Sequence, residues 1–277
     1  MSKERIPLAG VIGSPISHSK SPQLHGHWLH TYGIKGFYIP MDVKPQDLEK
    51  VLRTLPSAGF VGVNITIPHK EAALKIADLV TDRATLIGAA NTLTFRPDGK
   101  IHADNTDGYG FLENLKAGAP EWDPRSGPAA VLGAGGAARA VIVALLDAGV
   151  QDILLSNRTL ARAEQLQSDF GNRVKVFDWV QAGNMLEEAS LVVNTSSLGM
   201  VGKAEMRVPL DGLRSDSVVT DLVYNPLKTK LLDVAEQKGC ITVDGLGMLL
   251  HQGVPGFERW FGVRPEVTQE TRLAVLT

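Results

Sequence analysis

Residues 128–140, PAAVLGAGGAARA, decide the fold of this chain. Their apolar start, residues 129–132, predicts a buried parallel strand, and the glycine-rich turn GAGGAA follows at once. Apolar residues then recur every three or four positions up to Gly149, which predicts a helix. A strand, a glycine turn and a helix in this order are typical of a dinucleotide site. Gly133 permits the tight turn, Gly135 lets the backbone approach a pyrophosphate, and the helix N-terminus offers unpaired N–H groups to it.

The composition is that of a globular protein without an obvious macromolecular partner. The chain has 277 residues, 44% hydrophobic and 21% charged, which suggests about two domains. A net charge of −2 gives no indication of a nucleic-acid or membrane partner. The N-terminus, MSKERIPLAG, lacks an apolar core of signal-peptide length, so we expect a cytoplasmic protein. The single cysteine, Cys240, lies in an apolar run, which favours a buried strand residue over a nucleophile.

The second strand of this unit, predicted at residues 152–156, points to the kind of dinucleotide. An acidic residue at this position would bind the ribose diol of NAD, but the strand ends in Asn157, Arg158 and Thr159. A guanidinium pairs instead with a 2′-phosphate, and Arg162, in the next helix, could contribute to the same contact. We therefore expect NADP rather than NAD. The alternative is that Arg158 is an ordinary solvated arginine.

Strands and helices alternate through the rest of this region. Strands are predicted at residues 174–177, 190–194, 218–222 and 240–243, with helices at residues 160–170 and 228–238. This alternation predicts a parallel, doubly wound sheet. A long helix opening at Gly245 is expected to return to the N-terminal domain.

The N-terminal region predicts strands followed by polar loops. The loop after the first strand, at residues 5–12, contains three serines, a histidine and a lysine, and ligands bind beyond the carboxyl ends of strands in α/β sheets. Ser21 is predicted to be a helix N-cap, with Pro22 as the first helical residue. Further strands are predicted at residues 37–43, 61–67, 93–95 and 100–103, and a helix at residues 45–55. Asn64 and Thr66 share one face of their strand.

Nine sequence blocks together resemble the shikimate dehydrogenase family over essentially the whole chain. They are Gly13-x-Pro-Ile-x-His-Ser19-Lys-Ser21-Pro22, Asn64-Ile-Thr66-Ile-Pro68-His-Lys70, Gly88-Ala-Ala-Asn91-Thr92, Asp104-Asn105-Thr106-Asp107-Gly108, the GAGGAAR turn, Asn157-Arg158-Thr159, Asn194-Thr-Ser-Ser-Leu-Gly199-Met200, Tyr224-Asn-Pro226 and Gly245-Leu-Gly-Met248 with Gln252.

The resemblance implies an α/β fold with two domains and a cleft between them. Residues 1–106, completed by residues 245–277, form the expected substrate domain, and residues 107–244 form the expected Rossmann-type NADP domain. The implied activity is that of an oxidoreductase that reversibly reduces 3-dehydroshikimate to shikimate with NADPH, in the chorismate and aromatic amino acid pathway, and that needs no metal.

The resemblance also implies the site residues. Lys70 and Asp107 are the expected catalytic pair. The expected substrate-binding residues are Ser19, Ser21, Asn64, Thr66, Asn91, Tyr224 and Gln252. The pyrophosphate is expected at Gly133, Gly135, Gly136 and Ala137, the 2′-phosphate at Asn157, Arg158, Thr159 and Arg162, and the nicotinamide half at Thr195, Met200, Gly245 and Met248.

The implied chemistry accounts for these residue types. Hydride arriving at a ketone carbon leaves negative charge on its oxygen, so a lysine there can donate a proton while an aspartate orients it. Two roles for Lys70 stay open, general acid/base or charge stabiliser. For Lys70 and Asp107, the structural alternatives are a solvated lysine at a helix start and a helix cap.

Three alternatives remain. A quinate/shikimate dehydrogenase that also uses NAD is disfavoured by Ser21, where a threonine would suit quinate, and by Arg158. A nucleotide-sensing regulatory protein would be expected to lack Lys70 or Asp107. A zinc site at His25, His27 and His30 is disfavoured because no cysteine or carboxylate accompanies them. Gly26, where the family block more often has a polar residue, leaves fine substrate preference open, and both a monomer and a homodimer are compatible with the sequence.

Overall fold

A computed structural model describes residues 6–276 of the chain, and these form two compact units. The first unit contains the described residues up to Thr106 and from Leu250 onward, and the second contains residues 107–249. The second division between these units falls between Leu249 and Leu250, five residues after the predicted domain boundary.

The first unit is built on a mixed six-stranded sheet. Its strands, in the spatial order β2-β1-β3-β5-β6-β4, are β1 (Leu8–Gly13), β2 (Phe37–Asp42), β3 (Phe60–Ile65), β4 (Leu79–Val80), β5 (Thr92–Phe95) and β6 (Ile101–Asp104). Strands β2 and β3 run parallel to β1, while β5 runs antiparallel to β3 and β6. The ends of β1, β3 and β6 and the start of β5 therefore lie at one edge of the sheet.

Four short helices accompany these strands: α1 (Ser21–Thr31), α2 (Leu48–Thr54), α3 (Lys70–Ile76) and α4 (Asp82–Ile87). The predicted apolar stripe of α2 is buried through Leu48 and Leu52, which pack with Ile12, Val63 and Leu93 of the sheet. Strand β4 and helices α3 and α4 were not predicted, because each is too short to show a clear hydrophobic period.

Three details of this unit correct the prediction. Lys20, not Ser21, is the N-cap of α1, and Ser21 is the first helical residue. The Ser19 hydroxyl accepts the Ser21 N–H at 3.3 Å, so the capping contact comes from one residue before Lys20. Strand β3 ends at Ile65 because a turn closed by the His69 N–H to the Thr66 carbonyl follows it. The helix predicted at residues 45–55 is regular only in α2 and is flanked by 3₁₀ turns.

The second unit contains a six-stranded, fully parallel sheet. Its strands are β7 (Ala129–Leu132), β8 (Ile153–Ser156), β9 (Val174–Phe177), β10 (Leu191–Asn194), β11 (Val218–Asp221) and β12 (Ile241–Val243). The strands lie in the spatial order β9-β8-β7-β10-β11-β12. The chain builds the sheet outward from β7 to one side and then, from β10, to the other side, as in a doubly wound dinucleotide-binding fold. The predicted fold class is confirmed.

Helices cover both faces of this sheet. They are α5 (Asp107–Gly118), α6 (Gly136–Ala148), α7 (Leu160–Phe170), α8 (Ala182–Met185) and α9 (Lys230–Gln237). Ala129 and Val131 pack with α5, α6 and α7, while Ala130 and Leu132 pack with α8 and α9. A strand that is buried on both faces must be apolar at every position, which explains the unbroken apolar run of β7.

Two helices close the chain: α10 (Leu246–Phe261), which begins in the second unit and continues in the first, and α11 (Gln269–Leu276). Within residues 6–276, no helix combines the length and the apolar character needed to cross a membrane. Cys240 is buried one residue before β12, and this burial raises the pKa of its thiol, which disfavours the reactive thiolate.

Candidate active site

Several of the residues predicted to bind substrate meet at one edge of the first sheet. Ser21 begins the helix after β1, Asn64 lies near the end of β3, Asn91 precedes β5, and Gln252 comes from α10. With three further residues they form a hydrogen-bonded group, here called the polar cluster: Ser21, Tyr38, Asn64, Asn91, Thr92, Thr106 and Gln252.

Asn91 is the centre of the polar cluster. Its Oδ1 accepts hydrogen bonds from the Thr106 N–H at 2.8 Å and from the Thr92 hydroxyl at 2.9 Å. Its Nδ2 donates to Gln252 Oε1 at 3.2 Å, and the Thr106 hydroxyl donates to the Gln252 carbonyl at 2.9 Å. Asn91 thus ties α10 to the sheet edge across 161 residues of sequence.

Asn64 and Ser21 are joined through Tyr38. The Asn64 Nδ2 donates to the Asn91 carbonyl at 3.1 Å, and its Oδ1 accepts the Tyr38 hydroxyl at 2.7 Å. Tyr38 also has a side-chain hydrogen bond with Ser21. Burial raises the pKa of Tyr38 well above its usual range, so the phenol stays protonated.

Three members of the polar cluster were not predicted from the sequence. Tyr38 lies inside a predicted strand and outside every quoted block, so no signal marked it. Thr92 and Thr106 stand within quoted blocks, next to Asn91 and Asp107, but were given no role. The predicted site residues Asn91 and Asp107, which adjoin Thr92 and Thr106 in the sequence, were the signal that could have identified these two threonines.

Lys70, Thr66 and Ser19 are half-buried. Lys70 is the first residue of α3, and its carbonyl accepts the Ala90 N–H at 2.9 Å, one residue before Asn91. His69 fixes the start of this helix, because its Nε2 lies 2.7 Å from the Val43 carbonyl. These contacts hold the backbone of Lys70 next to the strand that begins after Asn91.

A buried ion group supports the same edge. The Asp104 carboxylate, at the end of β6, accepts two hydrogen bonds from Arg83 at 2.7 Å and one from Arg259 at 2.6 Å. Burial alone would raise the pKa of Asp104, but the two guanidinium groups outweigh it and hold the pKa well below its usual range. Asp104 therefore stays charged, and it also accepts the Asn105 N–H that starts the segment leading to Thr106 and Asp107.

In the second unit, the glycine turn leaves room for a phosphate. Gly133 has φ +118°, and a Cβ there would lie 2.7 Å from Thr195 Oγ1, so only glycine fits. Gly135 and Gly136 face open space, and no side chain caps the start of α6. Together with the positive end of the helix dipole, this arrangement fits the pyrophosphate of a dinucleotide.

The tip of β8 carries the residues predicted to bind a 2′-phosphate. Asn157 Oδ1 accepts the Ala134 N–H at 3.2 Å, and its Nδ2 donates to the Thr159 carbonyl at 2.8 Å. Asn157 thus links this tip to the glycine turn. Arg158, Thr159 and Arg162 are exposed, which leaves both guanidinium groups accessible to an anion from solvent.

The residues predicted for the nicotinamide half, Thr195, Met200, Gly245 and Met248, occupy two segments of the second unit. Thr195 follows β10, and its hydroxyl donates to the Leu132 carbonyl at 3.1 Å, at the point where the strand order reverses. Met200 and Met248 are half-buried. Gly245 packs on the backbone, since a Cβ there would lie 2.5 Å from the Leu222 carbonyl oxygen.

Tyr224 and Asp107 also belong to the second unit. Tyr224 is half-buried, and burial raises the pKa of its phenol. Asp107 begins α5 and is half-buried, and in the chain it directly follows the cluster residue Thr106.

His25, on α1, belongs to an aromatic group. Its ring is fully buried and stacks on Tyr38 with 4.0 Å between ring centroids. Burial lowers the pKa of His25 to about 3. His30 is exposed on the same helix, and within residues 6–276 no group of three or more His, Cys, Asp or Glu is arranged to hold a metal ion. Gly26 is exposed, with open space where a side chain would project.

Comparisons with known proteins agree along the chain. Residues 11–93 match the model of the shikimate dehydrogenase substrate binding domain, residues 123–223 that of shikimate / quinate 5-dehydrogenase, and residues 245–269 that of the shikimate 5′-dehydrogenase C-terminal domain.

Individual proteins are similar over nearly their whole length. The chain is 74% identical over 276 residues, covering 100% of both chains, to a shikimate dehydrogenase (NADP(+)) of Roseobacter denitrificans. It is similar to the crystal structure of the Thermus thermophilus shikimate 5-dehydrogenase in complex with NADP(H) and shikimate, with 38% identity, 98% coverage of both chains and a TM-score of 0.87. A quinate dehydrogenase from Corynebacterium glutamicum in complex with NAD is 32% identical, with 98% and 99% coverage and a TM-score of 0.91. The chain therefore belongs to the shikimate dehydrogenase family.

Proposed function

We propose that this chain catalyses the reversible, NADPH-dependent reduction of 3-dehydroshikimate to shikimate. The observation that carries the proposal is the polar cluster centred on Asn91, because it joins four of the residues that the sequence assigns to substrate. The names of the Roseobacter relative and of the Thermus structure support the same reaction and the same cofactor.

The polar cluster suits a small polyhydroxylated acid. Amide side chains offer both donors and acceptors, and a ring hydroxyl needs both. We assign the ring hydroxyls to Asn64, Thr66, Asn91 and Gln252, and the carboxylate to the hydroxyls of Ser19 and Ser21, with Tyr224 contributing from the second unit. The hydrogen bonds within the cluster fix the side chains of Ser21, Asn64, Asn91 and Gln252 before substrate arrives, which reduces the entropy lost on binding.

The glycine turn and the tip of β8 suit NADP(H). Gly133, Gly135, Gly136 and Ala137 are assigned to the pyrophosphate, and Asn157, Arg158, Thr159 and Arg162 to the 2′-phosphate. Bound NADPH supplies the hydride. The exposed guanidinium of Arg158 would distinguish NADP from NAD because only NADP carries the phosphate that it can pair with.

Lys70 and Asp107 are assigned to the proton transfer. When a hydride is added to the substrate carbonyl carbon, the carbonyl oxygen gains negative charge and takes a proton. The Lys70 ammonium donates that proton or stabilises the charge, and the Asp107 carboxylate orients the lysine and accepts a hydrogen bond from the substrate hydroxyl. In the reverse direction the neutral amine accepts the proton.

Three further assignments, of the domains, the location and the oligomeric state, complete the proposal. We assign substrate binding to residues 1–106 with 245–277 and NADP binding to residues 107–244, although residues 245–249 belong to the second compact unit. The protein acts in the cytoplasm on a small molecule, without a nucleic-acid or membrane partner. It does so as a monomer or a homodimer.

Initial rates from nicotinamide absorbance test the proposal, with shikimate or quinate offered together with NADP⁺ or NAD⁺. We expect efficient turnover with shikimate and NADP⁺. Rates should be lower by at least about tenfold with either replacement, because NAD⁺ lacks the 2′-phosphate assigned to Arg158 and quinate carries an extra hydroxyl. Comparable rates with quinate or NAD⁺ would indicate the dual-specificity alternative. Binding of NADP⁺ without any turnover would refute the proposal and favour a nucleotide sensor.

A further inference from the structure

Asp221 is a buried carboxylate that none of the roles above uses. It ends β11 and has no exposed surface. Its Oδ1 accepts hydrogen bonds from Asn194 Nδ2 at 2.8 Å and from the Val223 N–H at 3.0 Å, and its Oδ2 accepts the Thr229 hydroxyl at 2.7 Å. All three donors are uncharged. A buried charge held only by neutral donors is costly to the fold, and burial indeed raises the pKa of Asp221 to about 6.

Through Asn194, the Asp221 carboxylate reaches the segment after β10. Asn194 Oδ1 accepts hydrogen bonds from both the N–H and the hydroxyl of Ser196, at 3.0 and 2.7 Å. Asn194 Nδ2, which donates to Asp221, also donates to the Leu198 carbonyl at 3.2 Å. The Asn194 side chain therefore holds the segment that contains Thr195 and leads to Met200. Asp221 in turn orients the Asn194 side chain.

Two further segments lie against Asp221. The Val223 N–H binds its carboxylate one residue before Tyr224, and the Val201 N–H donates to the Asn225 carbonyl at 3.0 Å. Gly245 lies against the backbone at the same place, because a Cβ there would be 2.7 Å from the Asp221 carbonyl oxygen. Three segments that carry Thr195, Met200, Tyr224 and Gly245 thus converge on one residue.

We propose that Asp221 is a positioning residue that holds the nicotinamide half of the cofactor site in shape through Asn194 and the backbone of Val223. The inference rests on the proposed function, since that function assigns Thr195, Met200, Gly245 and Met248 to the nicotinamide half. Asp221 contacts these segments and not the adenosine side, where Asn157 and the arginines lie at the tip of β8.

Direct binding measurements test this inference without substrate. Calorimetry compares NADP⁺ with adenosine 2′,5′-bisphosphate, which has the 2′-phosphate but no nicotinamide. For Asp221→Ala we expect Kd for NADP⁺ to rise at least about tenfold, the scale of misplacing several contacts, while Kd for the bisphosphate changes less than about twofold. Asn194→Ala should give the same selective loss and serves as a second variant if Asp221→Ala does not fold.

Two further variants separate positioning from general stability. Asp221→Asn keeps Oδ1 as acceptor and lets Nδ2 donate to the Thr229 hydroxyl, so NADP⁺ affinity should stay within about threefold of the original. Ser217→Ala removes a buried hydroxyl that donates to the Ala189 carbonyl at 2.7 Å, just before the opposite end of β11. It should lower the melting temperature without a selective loss of NADP⁺.

Either an equal loss of both ligands in Asp221→Ala or no loss at all would overturn the inference. So would Asp221→Asn binding NADP⁺ as weakly as Asp221→Ala, because the hydrogen-bond geometry would then be irrelevant. A parent chain that binds NADP⁺ but does not oxidise shikimate would refute the proposed function while leaving this comparison of ligands valid.

Discussion

The backbone of Lys70 is held by its own carbonyl and by its neighbour His69. The buried His69 fixes the start of α3, and the Lys70 carbonyl binds the segment leading to Asn91. These contacts do not depend on which side chain stands at position 70. This makes Lys70 suitable for a kinetic test of its role.

We expect Lys70→Ala to lower kcat by about two to four orders of magnitude with little change in KM for shikimate, the range typical of a lost acid–base group. Lys75→Ala, an exposed lysine on the same helix, is the control and should leave kcat unchanged. Steady-state kinetics across pH measure both. Turnover of Lys70→Ala within tenfold of the parent would remove Lys70 from the mechanism.

Arg158 is the residue on which cofactor choice is expected to depend. Because only NADP carries a 2′-phosphate, Arg158→Ala should weaken NADP⁺ about tenfold to a hundredfold, the scale of a lost charge-assisted hydrogen bond, and NAD⁺ hardly at all. Arg173→Ala, an exposed arginine of the same unit, controls for the loss of positive charge. Equal losses of both cofactors, measured by calorimetry, would show that the 2′-phosphate is not bound at Arg158.

At the scale of the element, the glycine turn before α6 contains two kinds of glycine. Gly133 is required by the fold, because its φ is positive and a side chain would collide with Thr195. Gly135 has an extended conformation, with φ −97°, and faces open space. The fold can therefore accept a methyl group at Gly135, but a bound pyrophosphate would collide with it.

A pair of alanine variants tests this difference. Gly135→Ala should leave the unfolding free energy within about 0.5 kcal/mol of the parent and weaken NADP⁺ by at least about tenfold. Gly133→Ala should lower the unfolding free energy by at least about 1–2 kcal/mol, because alanine at positive φ is strained even before the collision. Urea unfolding and calorimetry measure both effects. Tight NADP⁺ binding by Gly135→Ala would show that the pyrophosphate is not bound at Gly135.

At the scale of the whole molecule, the two units contain buried groups with opposite responses to acid. His25, in the first unit, has its pKa lowered from 6.5 to about 3. Between these values the unfolded chain binds more protons, so the stability of the first unit rises with pH and is fully present above about pH 6.5. Asp221, in the second unit, has its pKa raised from 3.8 to about 6. Between these two values the folded chain binds more protons than the unfolded chain. The contribution of Asp221 to the stability of the second unit is therefore fully present below about pH 3.8 and is lost as pH rises through about 6.

Removing each group should therefore abolish its own pH trend. Between about pH 4 and about pH 7, burial of His25 should make the parent's first unit more stable by about 3 kcal/mol, and His25→Phe should not show this increase. Over the same range, burial of Asp221 should make the parent's second unit less stable by about the same amount, and Asp221→Asn should not show this decrease. Hydrogen exchange read by mass spectrometry, peptide by peptide, reports each unit separately. The same sign of change in both variants would contradict the two burial effects.

The elements with a long hydrophobic period were predictable, and the short ones were not. The strands of the second unit and the helix α7 follow their predicted positions within two residues, because strands buried on both faces and amphipathic helices leave a clear pattern. The N-cap at Ser21 was wrong, since the Ser19 hydroxyl and the backbone of Lys20 provide the cap. A capping motif allows either choice, and only the local backbone decides between them.

The sequence by itself determined the doubly wound sheet, the glycine turn and the expected cofactor, because these depend on local periodicity and on adjacent residues. It also marked most residues of the polar cluster as candidates. Only the tertiary structure decided that Asn91 joins Asn64, Thr106 and Gln252, and that Tyr38 completes the group. It alone revealed Asp221 as the residue on which three segments converge. Hydrogen bonds between residues far apart in the sequence depend on strand order and on burial, and neither leaves a local pattern.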